Sequence, residues 1–179
     1  MIEMCIHGRG GQGTVIGGAL LARALVEEGK YVSYFPEFGA ERRGAPVKAY
    51  LRIDERKIYL KQQIYKPDIV VLMDSTAGME KVISDLKPDG ELIINSPNPP
   101  EAFQKLGSFK IITIAATRIA MRHRIGSIST PIVNTTMVGA LAKVLGLSFE
   151  SVVTAIKGKF RADEKNIASA LEAYEKVKA

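Results

Sequence analysis

The chain has 179 residues, 46% of them hydrophobic and 25% charged, which is the make-up of an ordinary globular protein and excludes collagen-like or low-complexity chains. No apolar stretch reaches membrane-spanning length and no basic segment leads into an apolar core at the start. Neither a membrane segment nor a secretory leader is therefore expected, and the expected location is cytoplasmic. The net charge of +6 favours anionic company, a phosphorylated ligand or an acidic protein, but no basic stripe interleaved with aromatics is present, so nucleic acid is not an expected partner.

Residues 2–7 form a short apolar run that reads as a first strand. It ends at Gly8-Arg9-Gly10-Gly11-Gln12-Gly13, and a helical pattern follows from Thr14. That helix carries Val15, Ala19, Ala22 and Val26 at helical spacing, small Gly17 and Gly18 for close packing on a sheet, and Gly29 as its C-terminal cap. Residues 31–35 read as a second strand and residues 36–46 as a charged loop holding Arg42 and Arg43. In residues 47–53, alternation of Val47, Ala49, Leu51 and Ile53 with Lys48, Tyr50 and Arg52 predicts a half-buried strand. Asp54-Glu55 would turn that strand into Lys57-Ile58-Tyr59-Leu60, an inserted β-hairpin.

Residues 69–73 are continuously apolar, as in a parallel strand buried on both faces. Asp74-Ser75-Thr76 offers capping side chains to a helix with Met79, Val82, Ile83 and Leu86. A turn at Pro88-Asp89-Gly90 precedes a strand over 91–95, then a rigid Pro97-Asn98-Pro99-Pro100 connection and a strand over 110–115. Helical patterns occupy 116–125, 134–145, 148–157 and 163–178. The alternation predicts one domain over 1–179, an α/β fold with a doubly wound, mostly parallel sheet, helices on both faces, an inserted β-hairpin and a helical C-terminal part.

One cysteine, Cys5, cannot form an internal disulfide or ligate a four-cysteine cluster, and it reads as a small buried residue. His7 and His123 stand far apart, no spacing suggests a metal site, and no catalytic acid, base or nucleophile is expected on the chain. Gly8-x-Gly10-x-x-Gly13 matches the dinucleotide fingerprint in the required strand–turn–helix context. A helix N-terminus reached through such a turn binds anions through its free N–H groups and dipole. Glu37 lies near the place of a ribose-reading acid, but Pro36 precedes it and a dense charged loop follows. Arg9 and Gln12 suit a phosphate ligand of another kind, and a turn serving only packing or subunit contact is the third reading. All three stay open on these residues alone. The other cations cluster at Arg42-Arg43 and at Arg118, Arg122 and Arg124, and guanidinium forks suit phosphate or carboxylate.

His7–Leu25 (HGRGGQGTVIGGALLARAL) and Phe35–Ile53 (FPEFGAERRGAPVKAYLRI) together resemble the γ subunits of 2-oxoacid:ferredoxin oxidoreductases. The likeness continues at Pro67–Asp74, at Ala116-Thr117-x-Ile119-Ala120 and at Asn134–Leu141, so it runs in order along nearly the whole chain. The arginine loop is similar to that of the pyruvate and 2-ketoisovalerate branch, less so to the 2-oxoglutarate and indolepyruvate branches. Thr136 stands where the family often has proline, and Ala115 where aspartate is common; both departures bear on local loop geometry. The resemblance implies a complex that converts a 2-oxoacid, coenzyme A and oxidised ferredoxin to acyl-CoA, CO2 and reduced ferredoxin. Thiamine diphosphate and iron–sulfur clusters would lie on partner subunits, a thiamine-binding α and β pair and a ferredoxin-like δ chain, with the isolated chain free to form a homodimer. Coenzyme A would be contacted here. Gly10, Gly11, Gln12, Gly13 and Thr14 would hold phosphate, Arg9, Arg42 and Arg43 would add charge, and Asn134 and Thr135 would face the same crevice.

Overall fold

Among the described residues, six strands form one mixed sheet. They are β1 (Ile2–Arg9), β2 (Tyr31–Glu37), β3 (Pro46–Asp54), β4 (Ile69–Leu72), β5 (Glu91–Asn95) and β6 (Lys110–Ile114). The helices are α1 (Thr14–Glu27), α2 (Ala116–Arg122), α3 (Asn134–Val144), α4 (Phe149–Lys159) and α5 (Glu164–Lys176), with a 3-10 helix over Pro100–Leu106. The computed structural model describes residues 1–37, 44–74, 82–127, 129–160 and 164–178. β3 pairs antiparallel with both β1 and β2, whereas β1, β4, β5 and β6 are successive parallel neighbours. Only β3 runs against the rest, so the α/β expectation with an inserted hairpin holds.

The hairpin's arms differ from the expectation. β2 and β3 form it, and residues 57–60 are not a strand. The stretch after β3 instead crosses the second face of the sheet. Ile64 packs there against Cys5, Tyr50 and Phe35, and Gln63 donates to the Tyr50 hydroxyl at 3.3 Å. That cover buries Tyr50, 3% exposed, and Arg52 lies 0% exposed over the Phe35 ring, so β3 is buried on both faces rather than half-buried.

On the first face, α1 and the C-terminal helices bury Met4, Ile6, Leu51, Val71, Ile93 and Ile112. The stripe expected for α1 has the wrong phase. Thr14, Gly17, Gly18, Leu21, Ala24 and Leu25 are buried, while Val26 is 55% exposed. A helix apolar on most sides leaves its orientation to steric fit rather than to periodicity. Here a Cβ on Gly18 would stand 2.7 Å from the Tyr34 ring, so the glycine face must be the one laid on the sheet. Tyr34 secures the contact by donating its hydroxyl to the Val15 carbonyl at 2.6 Å. Gly29, with φ 77°, ends the helix as expected, its N–H donating to Val26 O and that of Lys30 to Leu25 O.

The C-terminal helices close on small polar residues. Thr135 Oγ1 donates to Asn166 Oδ1 at 2.8 Å, Thr136 meets Ser169, and a Cβ on Gly139 would sit 2.0 Å from the Ala170 carbonyl. Ala115 leaves α2 without a side-chain cap of its own. Asn95 of β5 supplies it instead, accepting from Thr117 N at 3.0 Å while donating to Met73 O at 2.9 Å. Below the sheet's other half, Val70, Leu72, Leu92 and Ile94 pack on Ile83, Leu86 and Phe103. Most of the helix expected around Met79, with its cap at Ser75 and Thr76, lies outside the described residues.

The second face also holds His7, whose Nε2 lies 3.0 Å from Cys5 Sγ. Burial, with Lys48 nearby, pushes the imidazole down to about 4. The unfolded chain takes up that proton near pH 6.5, the folded chain only near 4, so stability falls as pH drops across that window. Thermal midpoints measured from pH 7 to 4 should decline on this account, and His7→Gln should flatten the decline above pH 4.5. An unchanged slope in the variant would assign it elsewhere. Glu172 contributes lower down. Partial burial alone would raise its carboxyl, but hydrogen bonds from Lys176, His123 and Arg122 hold it near 2.

Candidate functional site

The turn after β1 divides into a braced half and an open half. Arg9 N–H donates to Gln12 Oε1 at 2.9 Å, and Gln12 Nε2 reaches Asp74 Oδ2 at 3.2 Å. Arg9 Nε pairs with the same Asp74 oxygen at 2.8 Å, and its Nη1 donates to Gly44 O at 3.3 Å. Gly10 exchanges main-chain bonds with Ala45 O and Gly44 N, extending the β1–β3 ladder. These contacts hold the turn rigid at the boundary between β1 and β4, where chain connections diverge and α/β sheets carry their ligands.

The open half begins at Gly11 (φ 99°) and Gly13 (φ 82°), conformations that residues with a Cβ disfavour. Gly13 is the N-cap of α1, which has neither a side-chain cap nor an acidic residue in its first turn. The first-turn N–H groups therefore keep their partial positive charge. A Cβ on Gly13 would lie 2.8 Å from Asn134 Nδ2. Asn134 is only 4% exposed, and its Oδ1 accepts from Thr135 N. Its Nδ2 has no acceptor among the described residues. Below the turn, Thr14 Oγ1 is buried without a partner among the described residues, 2.1 Å from where a Gly8 Cβ would stand.

These groups border a cavity of about 700 Å³. Gly10, Gly11, Gly13 and Thr14 line it together with Val15, Ile16 and Val47; Ile125, Ile132 and Phe160 add apolar wall. Arg124 and Lys165 bring positive charge, Arg9 lines the cavity while paired to Asp74, and no Asp or Glu among the described residues lines it. The Cys5 thiol is elsewhere, 4% exposed and pushed up to about 12 by burial, so it remains a protonated, inert thiol.

The structure thus gathers Arg9, Gly10, Gly11, Gly13, Thr14 and Asn134 at one cavity. Gln12 is not among the lining residues; its amide braces the turn. Thr135 is 0% exposed, with its hydroxyl turned into the α3–α5 contact. Arg42 and Arg43 lie outside the described residues, although Gly44, which follows them, is bonded to Gly10. Sequence reasoning missed Lys165, and it noted Arg124 only as part of a charge cluster.

A dinucleotide site loses its acid in this topology. β3 stands between β1 and β2, which places Glu37 two strand spacings, roughly 10 Å, from β1. Its carboxylate accepts from the Tyr50 hydroxyl at 2.7 Å.

Comparison with known proteins agrees with the whole-chain resemblance. The pattern of the pyruvate ferredoxin/flavodoxin oxidoreductase family matches residues 3–177. The chain is 47% identical over 184 residues to the pyruvate/ketoisovalerate oxidoreductases common subunit gamma of Pyrococcus abyssi, covering 99% of this chain and 97% of that one. The crystal structure of pyruvate oxidoreductase subunit PORC from Thermotoga maritima superposes with a TM-score of 0.82 at 35% identity, covering 99% and 97% of the two chains. At 23% identity, a fold likeness with TM-score 0.77 covers 98% of this chain and 30% of the 2-oxoglutarate:ferredoxin oxidoreductase chain of Magnetococcus marinus. That structure holds 2-oxoglutarate, coenzyme A and succinyl-CoA. Matched by the family pattern over residues 3–177 and 47% identical along nearly its whole length to a γ subunit, the chain belongs to the pyruvate ferredoxin/flavodoxin oxidoreductase family, as a counterpart of its γ subunits.

Proposed function

We propose that this chain serves in a pyruvate or 2-ketoisovalerate:ferredoxin oxidoreductase complex as the subunit that receives the phosphates of coenzyme A. The observation that carries this reading is the uncapped N-terminus of α1 opening on a cavity with basic but no acidic lining among the described residues. The donor set fits the ligand. Free first-turn N–H groups and the Asn134 amide suit a pyrophosphate, and the apolar wall of Val15, Ile125, Ile132 and Phe160 suits the ligand's uncharged parts. Coenzyme A bound to the Magnetococcus marinus enzyme, part of whose chain shares this fold, is in keeping with it. When bound, coenzyme A supplies the thiol that accepts the acyl group; this chain's residues bind and orient its phosphate end.

By the family resemblance, thiamine diphosphate and the clusters fall to an α and β pair and a ferredoxin-like δ chain, which agrees with the single cysteine here. Exposed Tyr59 (78%) and Tyr65 (71%), beside Leu60, suit burial against such partners. The competing reading, an assembly subunit without its own ligand, is separated by Arg42→Ala/Arg43→Ala in the reconstituted complex. A coenzyme A KM raised about tenfold with assembly intact is the expected result. Lost assembly, with unchanged KM in whatever complex remains, would favour the assembly reading.

A further inference from the structure

Two basic residues of the cavity stand where local backbone physics disfavours them. After α2, Arg124 N–H donates to Met121 O at 3.0 Å and Ile125 N–H to Ala120 O at 2.9 Å. This paired pattern ends a helix through one left-handed residue, usually glycine. Gly29 and Gly146 fill that place after α1 and α3, with φ of 77° and 71°. Arg124 fills it with φ 56°, the one non-glycine residue of positive φ among the described residues. In that conformation the Cβ crowds the following carbonyl oxygen. Lys165 lies in the first turn of α5, where the helix dipole repels a cation. Neither residue has a carboxylate partner among the described residues, and both line the cavity. Arg9, the third cation, is already neutralised by Asp74 at 2.8 Å.

We propose that Arg124 and Lys165 form a second anion-receiving station, which reads a phosphate separate from the one at the α1 N-terminus. The cavity then selects a carrier phosphorylated at two sites. This rests on the coenzyme A reading, on which the second group is the 3′-phosphate. The guanidinium fork makes two parallel bonds to a phosphate, and Lys165 adds a point charge. Charge-assisted bonds to the ligand offset the backbone strain at Arg124.

The test uses the assembled complex, with coenzyme A and 3′-dephospho-coenzyme A followed by equilibrium dialysis. Arg124→Gly keeps the left-handed turn and relieves its strain, so the thermal midpoint should not fall. The coenzyme A Kd should rise about tenfold or more, while the dephospho form changes by less than about twofold. Lys165→Gln should follow with a smaller loss, and Arg124→Lys should lie between. Equal weakening of both ligands by Arg124→Gly, or of neither, overturns the second station. Ile16→Glu, which places a carboxylate at the α1 N-terminus, keeps the two readings apart. If it weakens both ligands while Arg124→Gly fails to discriminate, only the second station is lost. If it leaves coenzyme A binding untouched, both readings fall.

Discussion

Replacing Ile16 by glutamate should raise the coenzyme A KM of the assembled complex by about thirtyfold without lowering its thermal midpoint. Ile16 is the third residue of α1, is 36% exposed and lines the cavity, so a longer polar side chain meets no steric barrier. A carboxylate at that place complements the helix dipole and can accept from the uncapped first turn, which stabilises the fold by about 0.3–1 kcal/mol. The same charge opposes a phosphate arriving at those N–H groups. At roughly 8 Å and an effective dielectric near 20, the repulsion is about 2 kcal/mol, which converts to the stated KM change. Ile16→Gln, similar in shape and uncharged, should stay within about threefold of the parent. Stability and binding thus move in opposite directions, a pattern that general damage to the fold does not produce. A KM indifferent to the glutamate would remove coenzyme A from this cavity.

The glycine turn could be recognised in the sequence because its requirements are local. Gly8 must leave room for Thr14 Oγ1, and Gly11 and Gly13 need positive φ, so residue type reports geometry directly. Continuous apolar runs placed β4 and β5 for the same reason, since burial on both faces demands them. What sequence could not give is set by packing across long separations. The phase of α1 depends on the fit of Gly18 to Tyr34 and Ala49, not on its own pattern. The burial of Tyr50 depends on Ile64 and Gln63, in a segment that crosses the sheet without forming a strand. Gln12 carries a donor suited to a ligand, yet Asp74, 62 residues on, claims it for bracing the turn. Lys165 reaches the cavity only because α5 packs on α3 through Thr135 and Gly139, and no spacing in the chain announces that approach.

Glu3→Leu should destabilise the protein by about 3–5 kcal/mol, lowering its thermal midpoint by on the order of 10 °C. Arg52 is 0% exposed, and its one hydrogen bond among the described residues is from Nε to Glu3 Oε1 at 2.8 Å. Nη1 and Nη2 have no partner among the described residues, and the guanidinium lies over the Phe35 ring, 5.7 Å from its centroid. A charge desolvated to this degree depends on its single carboxylate, and removing that carboxylate leaves it buried and uncompensated. Removing the charge itself is far less costly, because its desolvation and two unmet donors vanish with it. Arg52→Met should therefore fall within about 1 kcal/mol of the parent or be more stable, and it should rescue most of the loss when combined with Glu3→Leu. A small cost for Glu3→Leu alone, matched by a large one for Arg52→Met, would mean that the guanidinium is well solvated. Glu3 and Arg9 sit near opposite ends of β1, separated by roughly 20 Å of extended chain. The ladder from Cys5 to Gly10, which seats the glycine turn, does not include this pair. In complexes that still assemble, the coenzyme A KM should therefore be unchanged by Glu3→Leu, so that anchoring of the sheet and reception of phosphate separate at the two ends of one strand.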